Sequence, residues 1–217
     1  MKNLPVPVGF WRSVASTYTI FAMECFLDEL AEAAHVDPIQ YRLGLLRSHP
    51  RHAAILERLV KETGWNLPAP AGIRRGMAFS DSQGTLVAQA VEVSSQGDAY
   101  HIHRIVAVVD AGLVINPLNA EAQISGGIVF GLTAAQYGQI NIRGGAVRQG
   151  NYYEYRLLRM QDMPAIQVYF MKNEFPHGGI GEPGVPAIAP ALVNALHAAT
   201  GKRIRRLPIE AAGLKMV

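Results

Sequence analysis

The 217-residue sequence contains one cysteine, Cys25. That excludes a disulfide framework, a cysteine-rich zinc module and an iron–sulfur cluster held by this chain alone, because such clusters usually take several thiolates. Charge is scarce too. Asp, Glu, Lys and Arg make up 17% of the residues, against about 25% in an average soluble domain. Together with 49% hydrophobic residues, this excludes a disordered, collagen-like or coiled-coil chain. No apolar run approaches the roughly 20 residues of a membrane-spanning helix. The opening Met1-Lys2-Asn3-Leu4-Pro5 starts no long apolar stretch, so no signal peptide is expected. A Gly-x-Ser-x-Gly elbow and a Walker loop are both missing, which leaves serine hydrolysis and Walker-type ATP binding without support. The net charge of +3 comes from dispersed residues. The densest basic group, Lys202-Arg203-Ile204-Arg205-Arg206, is short and lacks interleaved aromatics, so a nucleic-acid partner is not expected.

What is abundant is glycine and proline, 21 and 13 residues respectively. With so little charge, this composition suits the interior of a larger assembly. Apolar spacing predicts a helix over 20–34, with Met23, Leu27, Leu30, Ala31 and Ala34 on its buried face. Asp37-Pro38 opens a second helix, with Asp as N-cap and Pro in the first turn. A third is expected over 53–63, with Ile55, Leu56, Leu59 and Val60 on one side and Gly64 as its stop. A Pro-rich connector covers 67–72. Strands are expected over 85–93 and 101–109, with a turn at 94–98, and again over 138–142 and 166–171. Asn116-Pro117 opens a helix to about Tyr137, interrupted by Gly126, Gly127 and Gly131. Glycine there costs nearly 1 kcal/mol per position, so close backbone approach is expected. A last helix covers about 188–199. Strands and helices alternate without a clear βαβ period, which favours an α+β fold. Residues 1–65 read as a helical segment and 75–217 as an α+β segment.

One segment stands out chemically. In His177-Gly178-Gly179-Ile180-Gly181-Glu182-Pro183-Gly184, glycines and prolines surround a single carboxylate. Such a loop lets backbone approach a ligand closely. A carboxylate in an apolar cleft is suited to act as a general base. A solvated surface Glu is the alternative, and composition alone does not separate the two. Gln123, beside Gly126-Gly127, offers an amide that could read a polar cofactor edge. Arg12 offers a guanidinium for a carboxylate or phosphate. Their alternatives are an exposed helix residue and a basic surface residue. Cys25 reads as a buried small hydrophobe. His101 and His103 share a strand face but lack a third metal ligand.

Three blocks, in order, carry a resemblance. The first is Gly9-Phe10-Trp11-Arg12-Ser13-Val14 with Phe21-Ala22-Met23-Glu24, Asp28-Glu29-Leu30-Ala31, Asp37-Pro38 and Arg42. The second is Val109-Asp110-Ala111-Gly112, Asn116-Pro117 and Gln123-Ile124-Ser125-Gly126-Gly127. The third is Gly181-Glu182-Pro183-Gly184 with Ala189-Pro190-Ala191-Leu192-Val193-Asn194-Ala195. From about residue 7 to 210 the sequence resembles the large subunit of the molybdenum hydroxylase (xanthine dehydrogenase/aldehyde oxidase) family, nearest to the isoquinoline 1-oxidoreductase beta-subunit group. It departs from that pattern at Ala15, Ala111 and Ser80-Asp81.

The resemblance implies a mixed-sheet molybdopterin-binding portion, and a C-terminal portion only, because the family's earlier cofactor loops have no counterpart here. It implies Glu182 as catalytic base. It places Gln123 and Arg12 at the cofactor, with Gly126, Gly127, Gly181 and Gly184 allowing close approach, and no metal ligand from the chain itself. It implies a molybdenum–molybdopterin cofactor in the cytosine dinucleotide form, and 2Fe-2S clusters on a partner iron–sulfur small subunit. The remaining N-terminal part of the large subunit would be a second partner. The substrate would be a small N-heteroaromatic or aldehyde, oxidised with water as oxygen donor. The alternative is a non-catalytic fragment that serves as a structural partner of a separate chain.

Overall fold

The computed structural model describes residues 6–217, so the reading of Met1–Pro5 lies outside the described residues. Helix α1 spans Ser16–Ala33, α2 Pro38–Leu45 and α3 Pro50–Thr63. They are followed by strands β1 (Arg74–Ser82), β2 (Thr85–Gln96) and β3 (Ala99–Asp110), then α4 (Pro117–Tyr137). A small hairpin of β4 (Ile142–Arg143) and β5 (Ala146–Val147) leads to β6 (Ala165–Phe170), α5 (Ile188–Thr200) and β7 (Lys215–Met216). The main sheet runs β1-β2-β3-β6. Its first pairs are antiparallel, β6 is parallel to β3, and β7 pairs in parallel with the start of β3. This is a mixed-sheet α+β fold. Among the described residues no helix is long and apolar enough to cross a membrane.

Local chemistry explains most element ends. Asp37 Oδ1 accepts from the Ile39 and Gln40 amides at 2.9 and 3.0 Å, which satisfies two free donors of α2. Gly64 and Gly201 stop α3 and α5 in the left-handed conformation, with φ of +60° and +74°. Ile55, Leu56 and Leu59 are fully buried, as the spacing requires.

Three expectations are corrected. The buried face of α1 is Ile20, Glu24, Cys25 and Ala31, whereas Met23 is 46% exposed. The reason is an ion pair that apolar spacing does not register. Glu24 Oε2 accepts from Arg42 Nε and from the Phe79 amide, each at 2.9 Å, which ties α1 to α2 and to the edge strand β1. Burial pushes the Glu24 carboxyl up, against the pull of Arg42. The segment 138–142 forms no strand apart from the start of β4 at Ile142, and β1 is a strand that the sequence reading left out. The expected 94–98 turn narrows to Gly97-Asp98, because β2 continues to Gln96 and β3 starts at Ala99.

The two faces of the sheet have separate cores. Met77, Phe79, Leu86, Ala88, Ala90, Val106 and Val108 pack against α2 and α3. Ala78, Val87, Val91, Ile105, Ala107 and Val109 pack against α4 and α5, with Cys25 of α1 at the margin. Burial pushes the Cys25 thiol up to about 12, and it stays an inert hydrophobe.

Candidate functional site

Between β6 and α5 the chain runs without regular structure, and Asp110 anchors the start of this run. Its carboxylate accepts from Arg51 Nε at 2.9 Å, Arg51 Nη2 at 3.0 Å, Asn173 Nδ2 at 2.9 Å and the Gly112 amide at 3.1 Å. Burial pushes the Asp110 carboxyl up, but these donors outweigh it and hold it below its ordinary value. Gly112, at φ +67°, lies against the Phe175 and Pro176 carbonyls, where no Cβ fits.

The run then clasps the tip of the β1–β2 hairpin. The Gly178 amide donates to the Ala111 carbonyl at 3.0 Å and the Gly179 amide to the Gln83 carbonyl at 2.8 Å. Thr85 Oγ1 donates to the Gly179 carbonyl at 2.7 Å. Gly178 abuts the Gly84 backbone, so the paired glycines permit this contact.

At residues 181–184 the three separated sequence blocks meet. Arg12 Nε donates to the Gly181 carbonyl at 2.8 Å, and Nη2 reaches the same carbonyl. Arg12 Nη2 also donates to Gln123 Oε1 at 3.2 Å and to the Gln123 carbonyl at 3.3 Å. Ser13 Oγ donates to the Glu182 carbonyl at 2.7 Å, and its amide lies 3.3 Å from Glu182 Oε1. Gln83 Nε2 donates to Glu182 Oε2 at 3.1 Å. From the sheet, Gln89 Nε2 donates to the Gly184 carbonyl at 2.9 Å. Ser13 and Val14 have positive φ of 72° and 45°, an uncommon conformation that turns Arg12 and Ser13 onto the loop.

The four glycines divide into two pairs. A Cβ on Gly184 would lie 2.6 Å from the Ile124 carbonyl, and one on Gly127 would lie 3.2 Å from Gly184. These two let α4 and the loop touch. Gly126 and Gly181 face open space. Glu182 is half-buried and Gln123 is exposed. With its oxygen engaged by Arg12, Gln123 donates its Nε2 to no described protein group. Trp11 stacks on Phe130 at 4.7 Å between ring centroids, and beside Gly126 they border an open groove of about 830 Å³.

Sequence reasoning missed Gln83, Thr85 and Gln89, and it quoted Ser13 and Asp110 within their blocks without giving them a role. Gly84 directly between two strands is a turn signal that would have drawn attention to Gln83 beside it once β1 was recognised. Thr85 and Gln89 carry no motif of their own. His101 and His103 meet edge to face at 4.7 Å between centroids, but each bonds within the protein, to the Val217 carbonyl and to Ser94 Oγ. Among the described residues no group of three His, Cys, Asp or Glu could hold a metal.

Fold and site define an α+β domain in which neutral and cationic donors converge on a glycine-rich loop bearing one carboxylate. A family model described as a molybdopterin cofactor-binding domain matches residues 27–164. The chain belongs to that family. The matched span holds Gln123, Gly126 and Gly127 and excludes Arg12 and Glu182. Isoquinoline 1-oxidoreductase subunit beta of Brevundimonas diminuta is 30% identical, over 97% of this chain and 28% of that protein. A protein of Gluconacetobacter polyoxogenes, named membrane-bound aldehyde dehydrogenase (pyrroloquinoline-quinone), is 32% identical over 94% of this chain and 29% of its own length. The chain therefore spans under a third of these curated relatives. The crystal structure of the aldehyde oxidoreductase from Desulfovibrio desulfuricans ATCC 27774 superposes with a TM-score of 0.72, over 92% of this chain and 40% of that one. At 13% identity this shows a shared fold alone.

Proposed function

We propose that the chain is the portion of a molybdenum hydroxylase large subunit that carries the catalytic base. The convergence of Arg12, Gln123 and Glu182 carries this reading. Arg12 bonds Gln123 and the Gly181 carbonyl, and its neighbour Ser13 bonds Glu182, each across more than a hundred positions of sequence. The donor set suits a pterin-type cofactor. It offers hydrogen bonds rather than metal ligands, and Gly126 and Gly181 leave room for close approach. Gln123 Nε2 would hold the cofactor, Gly126 and Gly181 would leave room for it, and Arg12 would keep Gln123 and Gly181 in place.

When bound, the molybdenum cofactor supplies the two-electron oxidising centre. Glu182 takes up the proton of the water-derived nucleophile at its carboxylate, with Ser13 and Gln83 holding the group in place. The overall change is RH + H2O → ROH + 2 H+ + 2 e−. The substrate class is an N-heteroaromatic or an aldehyde, the cofactor form is the cytosine dinucleotide, and the electrons leave through 2Fe-2S clusters on an iron–sulfur small subunit. The apolar groove beside Trp11 and Phe130, and the 94% exposure of Phe10, support work inside a larger assembly that includes the rest of a large subunit.

In the molybdenum-loaded assembly, Glu182→Gln removes the proton acceptor but keeps size and hydrogen bonding. Turnover should be abolished while molybdenum content and folding are retained. Full retained activity would overturn the assignment of the base. If the protein folds and joins its partner yet neither binds molybdenum nor turns over, it is a structural partner instead.

A further inference from the structure

We infer that Gln83 is a positioning residue for the Glu182 carboxylate. The inference rests on the reading of Glu182 as the base. Gln83 and Gly84 form the turn between β1 and β2, where Ser82 pairs with Thr85. Their φ values are +58° and +73°. Such a turn favours Asn or Gly at its first position, because the short Asn side chain bonds locally and Gly lacks Cβ. Glutamine has neither advantage. Its side chain is instead directed across to the loop, where Nε2 lies 3.1 Å from Glu182 Oε2.

The backbone of the same residue is fixed to the same loop. The Gln83 carbonyl accepts from the Gly179 amide at 2.8 Å, and Thr85 Oγ1 holds the Gly179 carbonyl at 2.7 Å. Hairpin tip and carboxylate loop therefore move as one unit. The Ser13 amide addresses the other oxygen, Oε1, at 3.3 Å. Two donors on two oxygens define the plane of the carboxylate as well as its place.

The chemistry of the donor matters. Of the described side chains hydrogen-bonded to residues 179–184, Arg12 is the cation, and it bonds the Gly181 carbonyl rather than the carboxylate. An amide on Oε2 orients the base without the strong pull on the ionised form that a cation would exert. Gln83 cannot itself exchange a proton at these pH values, so it holds the base without competing with it.

Three variants test this. Gln83→Asn keeps the turn, with a residue better suited to it, but the side chain is too short to reach Glu182. Gln83→Met keeps the length and removes the donor. Gln83→Glu places a like charge against Glu182. In the molybdenum-loaded assembly, Asn and Met should lower kcat about tenfold with little change in KM. Gln83→Glu should lower kcat more. Independently of turnover, the side-chain carboxyl carbon of Glu182 can be followed by 13C NMR, assigned by its loss in Glu182→Gln. Its chemical shift should move in Asn and Met, because Oε2 has lost its donor. An unchanged Glu182 resonance and an unchanged kcat in a folded Gln83→Asn would overturn the inference. Should Glu182→Gln retain turnover, the reading of the base falls, while the NMR shift still decides whether Gln83 holds that carboxylate.

Discussion

The two faces of the main sheet are built on different principles. On the face covered by α2 and α3, the middle of the central strands is apolar, and Ile39, Ile55, Leu56, Leu59 and Met77 are fully buried. Its charged groups lie at the two ends of the strands. At one end Asp110 is held by Arg51 of α3. At the other Glu92 stands opposite both Arg75 and Arg104, at 3.1 and 2.8 Å, and the two arginines reach the carbonyls at the end of α3. On the face covered by α4 and α5, the apolar pattern breaks at the end nearest the loop. Ser80, Ser82, Thr85 and Gln89 are buried there, and Ser80 Oγ, Ser82 Oγ and Gln89 Oε1 bond to no described protein group. Burying polar groups costs stability. The first face is therefore organised for packing. The second gives up packing locally so that Thr85 and Gln89 can hold the carbonyls of Gly179 and Gly184.

Substitutions that act on one face and not the other would break or sharpen this contrast. The largest effect is expected at the Glu24–Arg42 pair, which joins α1 and α2 to the sheet edge. Arg42→Met strands a buried carboxylate and should cost about 3–5 kcal/mol in denaturant unfolding, much of it recovered in a Glu24→Leu/Arg42→Met double variant. Next is Leu59→Ala on the apolar face, at about 2–5 kcal/mol, with turnover per folded, loaded molecule unchanged. Gly184→Ala should cost about 1–3 kcal/mol by forcing a Cβ against Ile124. Unlike Leu59→Ala, it should also lower turnover, because it displaces Glu182. Equal loss of turnover in the Leu59 and Gly184 variants would erase the distinction between the faces.

A pH comparison follows from Asp110 and Glu92, which stand at opposite ends of the α2/α3 face, Asp110 at the loop end and Glu92 away from it. Burial raises both, and for both the arginine partners outweigh it and hold the carboxyl below its ordinary value. A depressed folded value means stability that is fully present above the unfolded carboxylate range and lost as pH falls through the folded one. Urea midpoints should therefore drop on acidification. Asp110→Asn should flatten that dependence and loosen amide-exchange protection at 173–182, whereas Glu92→Gln should flatten it without touching the loop. The smallest effect is expected at His35, held at φ +55° after α1, where His35→Gly should add about 0.5–1 kcal/mol in thermal unfolding.

Much of the fold is written locally. Asp37-Pro38, Asn116-Pro117, Gly64 and Gly201 mark helix ends by chemistry that acts within a few residues, and the structure places those ends accordingly. The face of α1 could not be found in this way, because Glu24 is buried by an arginine on another helix and an amide on a strand. β1 was equally hidden, since its edge is completed by Glu24. In the site, Glu182 stands out in the sequence because its glycine and proline neighbours are unusual. Gln83 and Gln89 have ordinary neighbours and gain their roles only from what lies opposite them.

By itself, then, the sequence determined the helices with their caps, the absence of a cysteine-based cluster, and the glycine-rich segment with its single carboxylate. These follow from side-chain chemistry and spacing, which act over a turn or a strand. Only the tertiary structure decided which glycines admit a neighbour and which face open space, and which two donors hold Glu182. It also decided that Arg12 braces the loop and Gln123 together. Each of these depends on groups brought together from distant parts of the chain, and their directions are set by helix packing and strand register rather than by any local pattern.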